Sequence, residues 1–162
     1  METIAVYWES RIKTYGFNKL THLSLFEFNY PDERIAELDK ILSSPDFQDI
    51  KTQFMILQKK ADGISLVFCL SGSEGGDFHA FLRNDSTLKP YRYLSPVGLL
   101  FFHGPHFGDR YGIADAAFSP LSEAGIKIIA AGCSSASVFF VTAEDDLNRA
   151  EEALSKTFDS AK

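Results

Sequence analysis

One order of elements, strand, helix, strand, strand, helix, recurs along this chain of 162 residues, and it excludes most architectures. The later copy is the cleaner. Val97–Phe102 is an apolar run of strand length, and His103–Tyr111 is a polar loop. Beyond it Ile113, Ala114, Ala117, Phe118 and Leu121 recur at helical spacing. The pattern predicts a helix with Asp109 as N-cap that stops at Gly125, a residue suited to the left-handed turn past a helix end, with Pro120 interrupting its last turn. Ile126–Ala130 and Val138–Val141 then read as strands joined by a turn at Gly132–Ala136. Thr142-Ala-Glu-Asp145 has the capping-box pattern for a final helix that carries Leu147, Ala150, Leu154 and Phe158 on one face.

The earlier copy repeats the order. Leu23–Phe28 alternates as a strand does, and Asp32–Leu42 is helical, with Ile35, Leu38, Ile41 and Leu42 along one side. Phe54–Leu57 and Ile64–Leu70 follow as strands around a turn at Ala61–Gly63. Gly72–Gly76 reads as a flexible turn, Asp77–Leu82 as a short helix, and Leu88–Leu94 as a closing strand before Pro96. This copy has all six elements of a split βαβ unit, whereas the later one lacks its last strand. One strand, Ile4–Trp8, is left over at the N-terminus, followed by a loop at Glu9–Lys13, and it is expected to complete the later unit. The fold expected is α+β: two ferredoxin-like βαββαβ units, antiparallel sheets with helices on one face. The divisions are 1–18 for the N-terminal strand and loop, 19–95 for the first unit and 96–162 for the second.

Composition narrows the function. A net charge of −6 and a pI near 5.2 argue against nucleic acid, whose binding needs clustered Lys and Arg. No apolar run reaches the roughly 18–20 residues that span a bilayer, and Met1-Glu-Thr3 opens neither a basic leader nor an apolar signal core. A cytoplasmic protein is expected. Cys69 and Cys133 lie in apolar strand-like runs and are expected to be buried, without disulfide or metal. His103 and His106 lack the companions of a zinc site, and no serine has a nucleophile-elbow context, so no catalytic residue, metal ligand or cofactor is assigned.

The run Gly104-Pro-His-Phe-Gly-Asp-Arg-Tyr-Gly-Ile113, continued by Pro120-Leu-Ser-Glu-Ala-Gly-Ile126, Ser134-Ser135 and the strand Val138–Val141, resembles an ACT domain. It is most similar to the aspartate-kinase-like ACT domains and to small tandem-ACT proteins that include the cytosolic arginine sensors. Asp109-Arg-Tyr-Gly112 resembles the Asp-Arg-Pro-Gly turn of the kinases, with Tyr111 in place of proline; Lys127 stands where those domains usually have Asn. The resemblance implies an amino-acid-binding regulatory module that acts as a homodimer or on a partner protein. Gly112 and Ile113 offer backbone N–H groups to a carboxylate, and Asp109 offers acceptors to an ammonium. Phe107 and Tyr111 wall the pocket, with His106, Gly108, Lys127 and Ile128 beside it. Two further readings are an interaction or dimerisation module without ligand, and an enzyme using His103 or His106 as acid or base.

Overall fold

The computed structural model describes residues 11–84, 91–105 and 107–160. In chain order the elements are β1 (Ile12–Thr14), β2 (Phe17–Pro31), α1 (Ile35–Leu42), α2 (Pro45–Gln48), β3 (Phe54–Lys60), β4 (Gly63–Ser71) and α3 (Gly72–Asn84). There follow β5 (Tyr91–His103), α4 (Ile113–Glu123), β6 (Ala130–Cys133), β7 (Ser137–Ala143), α5 (Leu147–Leu154) and β8 (Phe158–Ser160). Short 3-10 turns lie at Asp32–Arg34, Phe107–Asp109 and Glu144–Asp146. The chain divides into two compact units, one of residues 22–97 and one of residues 11–21 with 98–160.

In the first unit the strand order is β3-β4-β2-β5. β2 and β4 pair antiparallel with Phe26 opposite Phe68 and Phe28 opposite Leu66, so alternate residues of both strands share a face. Phe26, Phe28 and Tyr30 of β2 and Leu66, Phe68 and Leu70 of β4 form one core with residues of α1, α2 and α3. Phe26 stacks on Phe68 at 5.4 Å and meets Phe78 edge-on at 5.1 Å. Along β2, Ser24 meets Ser95, Phe26 meets Tyr93 and Phe28 meets Tyr91. The partner's number falls as that of β2 rises, so β5 runs antiparallel to β2 here. Helix α3 comes so near β2 that a Cβ on Gly75 would lie 2.4 Å from Ser24 Cβ.

In the second unit the order is β2-β5-β7-β6, and the position beside β5 is taken by residues 17–21 of β2. Phe17 packs its ring on Phe102 at 5.1 Å, and Lys19 pairs with Glu151 of α5 at 2.5 Å. Strand β1 forms a separate parallel pair with β8, Ile12 opposite Phe158. Both join a core with Leu100, Phe102, Ala117, Leu121, Phe140, Ala150 and Leu154. Helix α4 ends in a Schellman turn: Gly125 has φ +68°, Gly125 N–H donates to Ser122 and Ile126 N–H to Leu121. Arg149 donates to the Ala124 carbonyl at 2.8 Å, placing a cation at that negative helix end.

Several local expectations are corrected. Residues 72–76 open α3 instead of forming a turn, and the close approach to Ser24, which admits no side chain at Gly75, accounts for the glycine there. The two strands expected on either side of Pro96 are one strand, β5. Helix α4 has Gly112, not Asp109, at its N-cap, and Ile126–Ile129 precede β6 instead of forming its strand. Thr142 donates to the Ala143 carbonyl and makes no capping box; a 3-10 turn intervenes before α5. Phe158 belongs to β8, not to the helix face, and Lys13 lies in β1 instead of a loop. Cys133 is exposed, since β6 ends there. The expected strand Ile4–Trp8 lies outside the described residues.

Phe26→Ala should lower unfolding free energy by about 3–5 kcal/mol in denaturant melts, because it empties a fully buried ring site. Leu57→Ala, at a residue 58% exposed on β3, should stay within about 0.5 kcal/mol. His79 stacks on Tyr93 at 3.8 Å, and burial together with the Arg83 charge lowers its pKa from the usual 6.5. The folded state therefore binds this proton less well than the unfolded chain. Its contribution to stability is complete above about pH 6.5 and is lost as the pH falls below that value. His79→Gln should flatten that part of the Tm-against-pH curve.

Candidate ligand-binding site

The loop between β5 and α4 is built by close approach. A Cβ on Gly104 would lie 2.4 Å from the Phe107 ring and 2.5 Å from the Lys13 carbonyl, so only glycine fits where β5 ends. Phe107 then turns inward, 7% exposed, edge-on to Phe102 at 5.9 Å. Gly112 enters α4 with φ +83°, a left-handed conformation that would cost an L residue about 1–2 kcal/mol. The first helical bond there is Ala116 N–H to the Gly112 carbonyl at 2.9 Å. The N–H groups of the preceding residues therefore have no carbonyl one turn back within the helix, and the positive end of the helix dipole lies there.

Beside this helix start lies a cavity of about 270 Å³, lined by Phe107, Ile113, Ala114, Phe118, Val138 and the stretch 131–134. The space comes from missing side chains. In the β6–β7 pair Ala131 faces Phe140 and Gly132 faces Phe139, so large residues on one strand meet small ones on the other. Phe118 crosses Phe140 edge-on at 5.1 Å. The β6–β7 turn is closed by Ser134 N–H donating to the Ser137 carbonyl at 2.9 Å. It sits against the 3-10 turn, where a Cβ on Gly108 would lie 3.0 Å from the Ser135 carbonyl. Among the described residues no charged side chain lines the cavity; the polar groups of that lining come from Cys133, Ser134 and backbone.

The structure brings two of the expected residues, Phe107 and Ile113, into this lining. Gly108 and Asp109 form the adjoining 3-10 turn, and Gly112 begins the helix. Ile128 lies in a neighbouring groove with Phe118, Ser119, Ser122 and Ile126. Tyr111 is 98% exposed and forms no part of the cavity wall, and Lys127 is likewise exposed. His106 lies outside the described residues. Sequence reasoning missed Ala114, Phe118, Val138 and the stretch 131–134. The available signal was Ala130-Ala-Gly-Cys133, a strand of small residues opposite phenylalanines.

His103 is exposed and its ring leans on Tyr15 at 5.2 Å. Among the described residues no three His, Cys, Asp or Glu side chains gather as metal ligands, and no helix is long and apolar enough to cross a membrane.

The two cysteines should separate cleanly in alkylation of the native protein. Cys69 is fully buried, which pushes its thiol up to about 12, whereas Cys133 is exposed at the cavity. Only the thiolate reacts, so iodoacetamide near neutral pH should label Cys133 alone, as read by peptide mass spectrometry.

Residues 103–158 match the ACT domain family. Among solved structures, the aspartokinase alpha and beta subunits are 18% identical with a TM-score of 0.74, covering 89% of this chain and 97% of theirs. The ligand-free regulatory subunit of aspartate kinase from Thermus thermophilus is 9% identical with a TM-score of 0.75, covering 89% and 97%. Escherichia coli aspartokinase III in complex with lysine and aspartate is 16% identical with a TM-score of 0.62, covering 91% of this chain and 34% of that one. A comparison with curated protein sequences gave no match. Residues 103–158 thus match the ACT domain family, in a chain similar in fold to the regulatory subunits of aspartate kinases.

Proposed function

We propose that the chain is a regulatory module that binds a free amino acid beside the start of α4 and passes its occupancy to a second copy or a partner protein. The observation that carries this is the cavity at that helix start, with Ile113 and Ala114 in its wall. An α-carboxylate placed there meets the N–H groups of Gly112 and Ile113 and the positive end of the helix dipole. Asp109, one turn upstream, is assigned to the α-ammonium. The apolar lining takes the side chain. At about 270 Å³ the cavity lies below the ~300–1,000 Å³ typical of drug-sized ligands, which suits a metabolite. The similarity to aspartate kinase regulatory subunits supports a regulatory rather than a catalytic role, and the Escherichia coli enzyme, in complex with lysine and aspartate, supports amino acids as the ligand class.

Thermal-shift screening of the twenty amino acids tests the reading, since a ligand at about 100 times its Kd adds about 2.7 kcal/mol to stability. For the ligand so found, Asp109→Ala should weaken binding by roughly 10- to 150-fold in calorimetric titration. Gly112 occupies the N-cap position of α4, and the Tm of the variant without ligand separates a loss of binding from a loss of fold. Equal affinity in the variant would remove Asp109 from the site, and no stabilisation by any amino acid would leave an interaction module.

A further inference from the structure

Resting on that reading, we propose that the strand pair β1–β8 is the element that responds to the cavity: an amino acid bound there holds the pair closed, and without one the pair opens. The pair is small. It joins three residues to three, Ile12 opposite Phe158, Lys13 opposite Asp159 and Thr14 opposite Ser160, and it stands apart from the larger sheet. Two short strands alone are marginally stable in water, and parallel pairing is weaker per residue than antiparallel. Ile12 N–H donates to the Thr157 carbonyl at 3.0 Å, and Arg11, itself exposed, donates to the Ser155 carbonyl and pairs with Asp159 at 3.7 Å. These bonds are few. Burial of Ile12, 8% exposed, and Phe158, 1% exposed, therefore decides whether the pair forms.

Both strands rest on the residue that also walls the cavity. The Phe107 ring, part of the cavity lining, lies 6.2 Å from the Phe158 ring of β8, and Phe102 meets the two at 5.9 Å and 4.8 Å. On the side of β1, a Cβ on Gly104 would stand 2.4 Å from the Phe107 ring and 2.5 Å from the Lys13 carbonyl, so Gly104 is held between them. Tyr15 N–H, just past β1, donates to the His103 carbonyl at 2.9 Å and ties the strand to the end of β5. Phe107 is thus shared. A ligand against its ring fixes the surface on which Phe158 and Gly104 pack, whereas without ligand the ring can shift toward the open space and support the pair less. A short pair with few bonds is the kind of element that opens locally while the rest of a unit stays folded. The coupling is reciprocal: the factor by which ligand favours the closed pair is the factor by which closure raises affinity.

The test is hydrogen–deuterium exchange of the intact chain, read by mass spectrometry, with and without an equimolar mixture of the twenty amino acids at millimolar concentration. Peptides over residues 113–116 report the cavity, those over 12–14 and 158–160 the pair, and those over β4 the first unit as a reference. The mixture should slow exchange at the cavity and, by at least about fivefold, at the pair, and leave β4 unchanged. Phe158→Ala, which removes the ring contact of β8 with Phe107, should raise the mixture concentration that half-protects residues 113–116 by roughly 5- to 150-fold. Circular dichroism checks the fold of the variant, and the exchange comparison on the unaltered protein needs no variant. Protection at the cavity with exchange at the pair unchanged would overturn the coupling while leaving the amino-acid reading intact. Equal slowing at β4 would also overturn it, by showing stabilisation of the whole chain, as would a folded Phe158→Ala protein half-protected at the wild-type concentration. No protection at the cavity would overturn both.

Discussion

The unit that holds the cavity is short of one strand. Between residues 98 and 143 it has β5, β7 and β6, and a sheet of three strands would leave β5 as an open edge. Residues 17–21 of β2 close that edge, with Phe17 on Phe102 and Lys19 on Glu151. A second strand pair, β1 with β8, brings Ile12 and Phe158 into the same core. The N-terminal residues are thus part of the second unit although they lie far from it in sequence. They hold β5, and β5 ends where the loop to α4 begins. The Lys13 carbonyl lies 2.5 Å from where a Cβ on Gly104 would stand, so this segment also forms one wall of the loop that leads to the site.

The cavity is an exception to the packing around it. Phe102, Phe140, Leu121 and Leu154 are fully buried, as is usual where large side chains interdigitate. Against the same strand β7, the edge strand β6 sets the small Ala131 opposite the buried Phe140, and the space beside it stays open. A core optimised for stability alone fills such a space, since unfilled volume forfeits dispersion contacts. An opening kept at the positive end of a helix, with rings on two sides, fits a ligand that brings both an anionic end and a hydrocarbon body.

The fold was legible because hydrophobic period and turn chemistry agree along most of the chain. The alternation of Phe26 and Phe28, the helical spacing of Ile113, Ala117 and Leu121, and the stop at Gly125 all appear in the structure as the sequence pattern implies. What failed to read correctly depends on contacts distant in sequence. Gly75 looks like loop chemistry until Ser24 is placed against it. Phe158 continues a helical stripe, yet it leaves α5 to pair opposite Ile12. Asp109 has the residue type of an N-cap, but the left-handed Gly112 moves the helix start three residues on. For the site, a motif-like loop pointed to Phe107 and Ile113, whereas the small residues of β6 carry no motif and matter only once β7 lies beside them.

The central claim is that an amino acid sits between the first turn of α4 and the end of β6. The most direct measurement is a titration of the isotopically labelled protein with each of the twenty amino acids, followed through its backbone amide resonances. The account predicts saturable shifts concentrated at Ile113, Ala114 and residues 131–134, with the amides of residues 22–97 little changed. Shifts centred outside that set, or none with any amino acid at millimolar concentration, would contradict it.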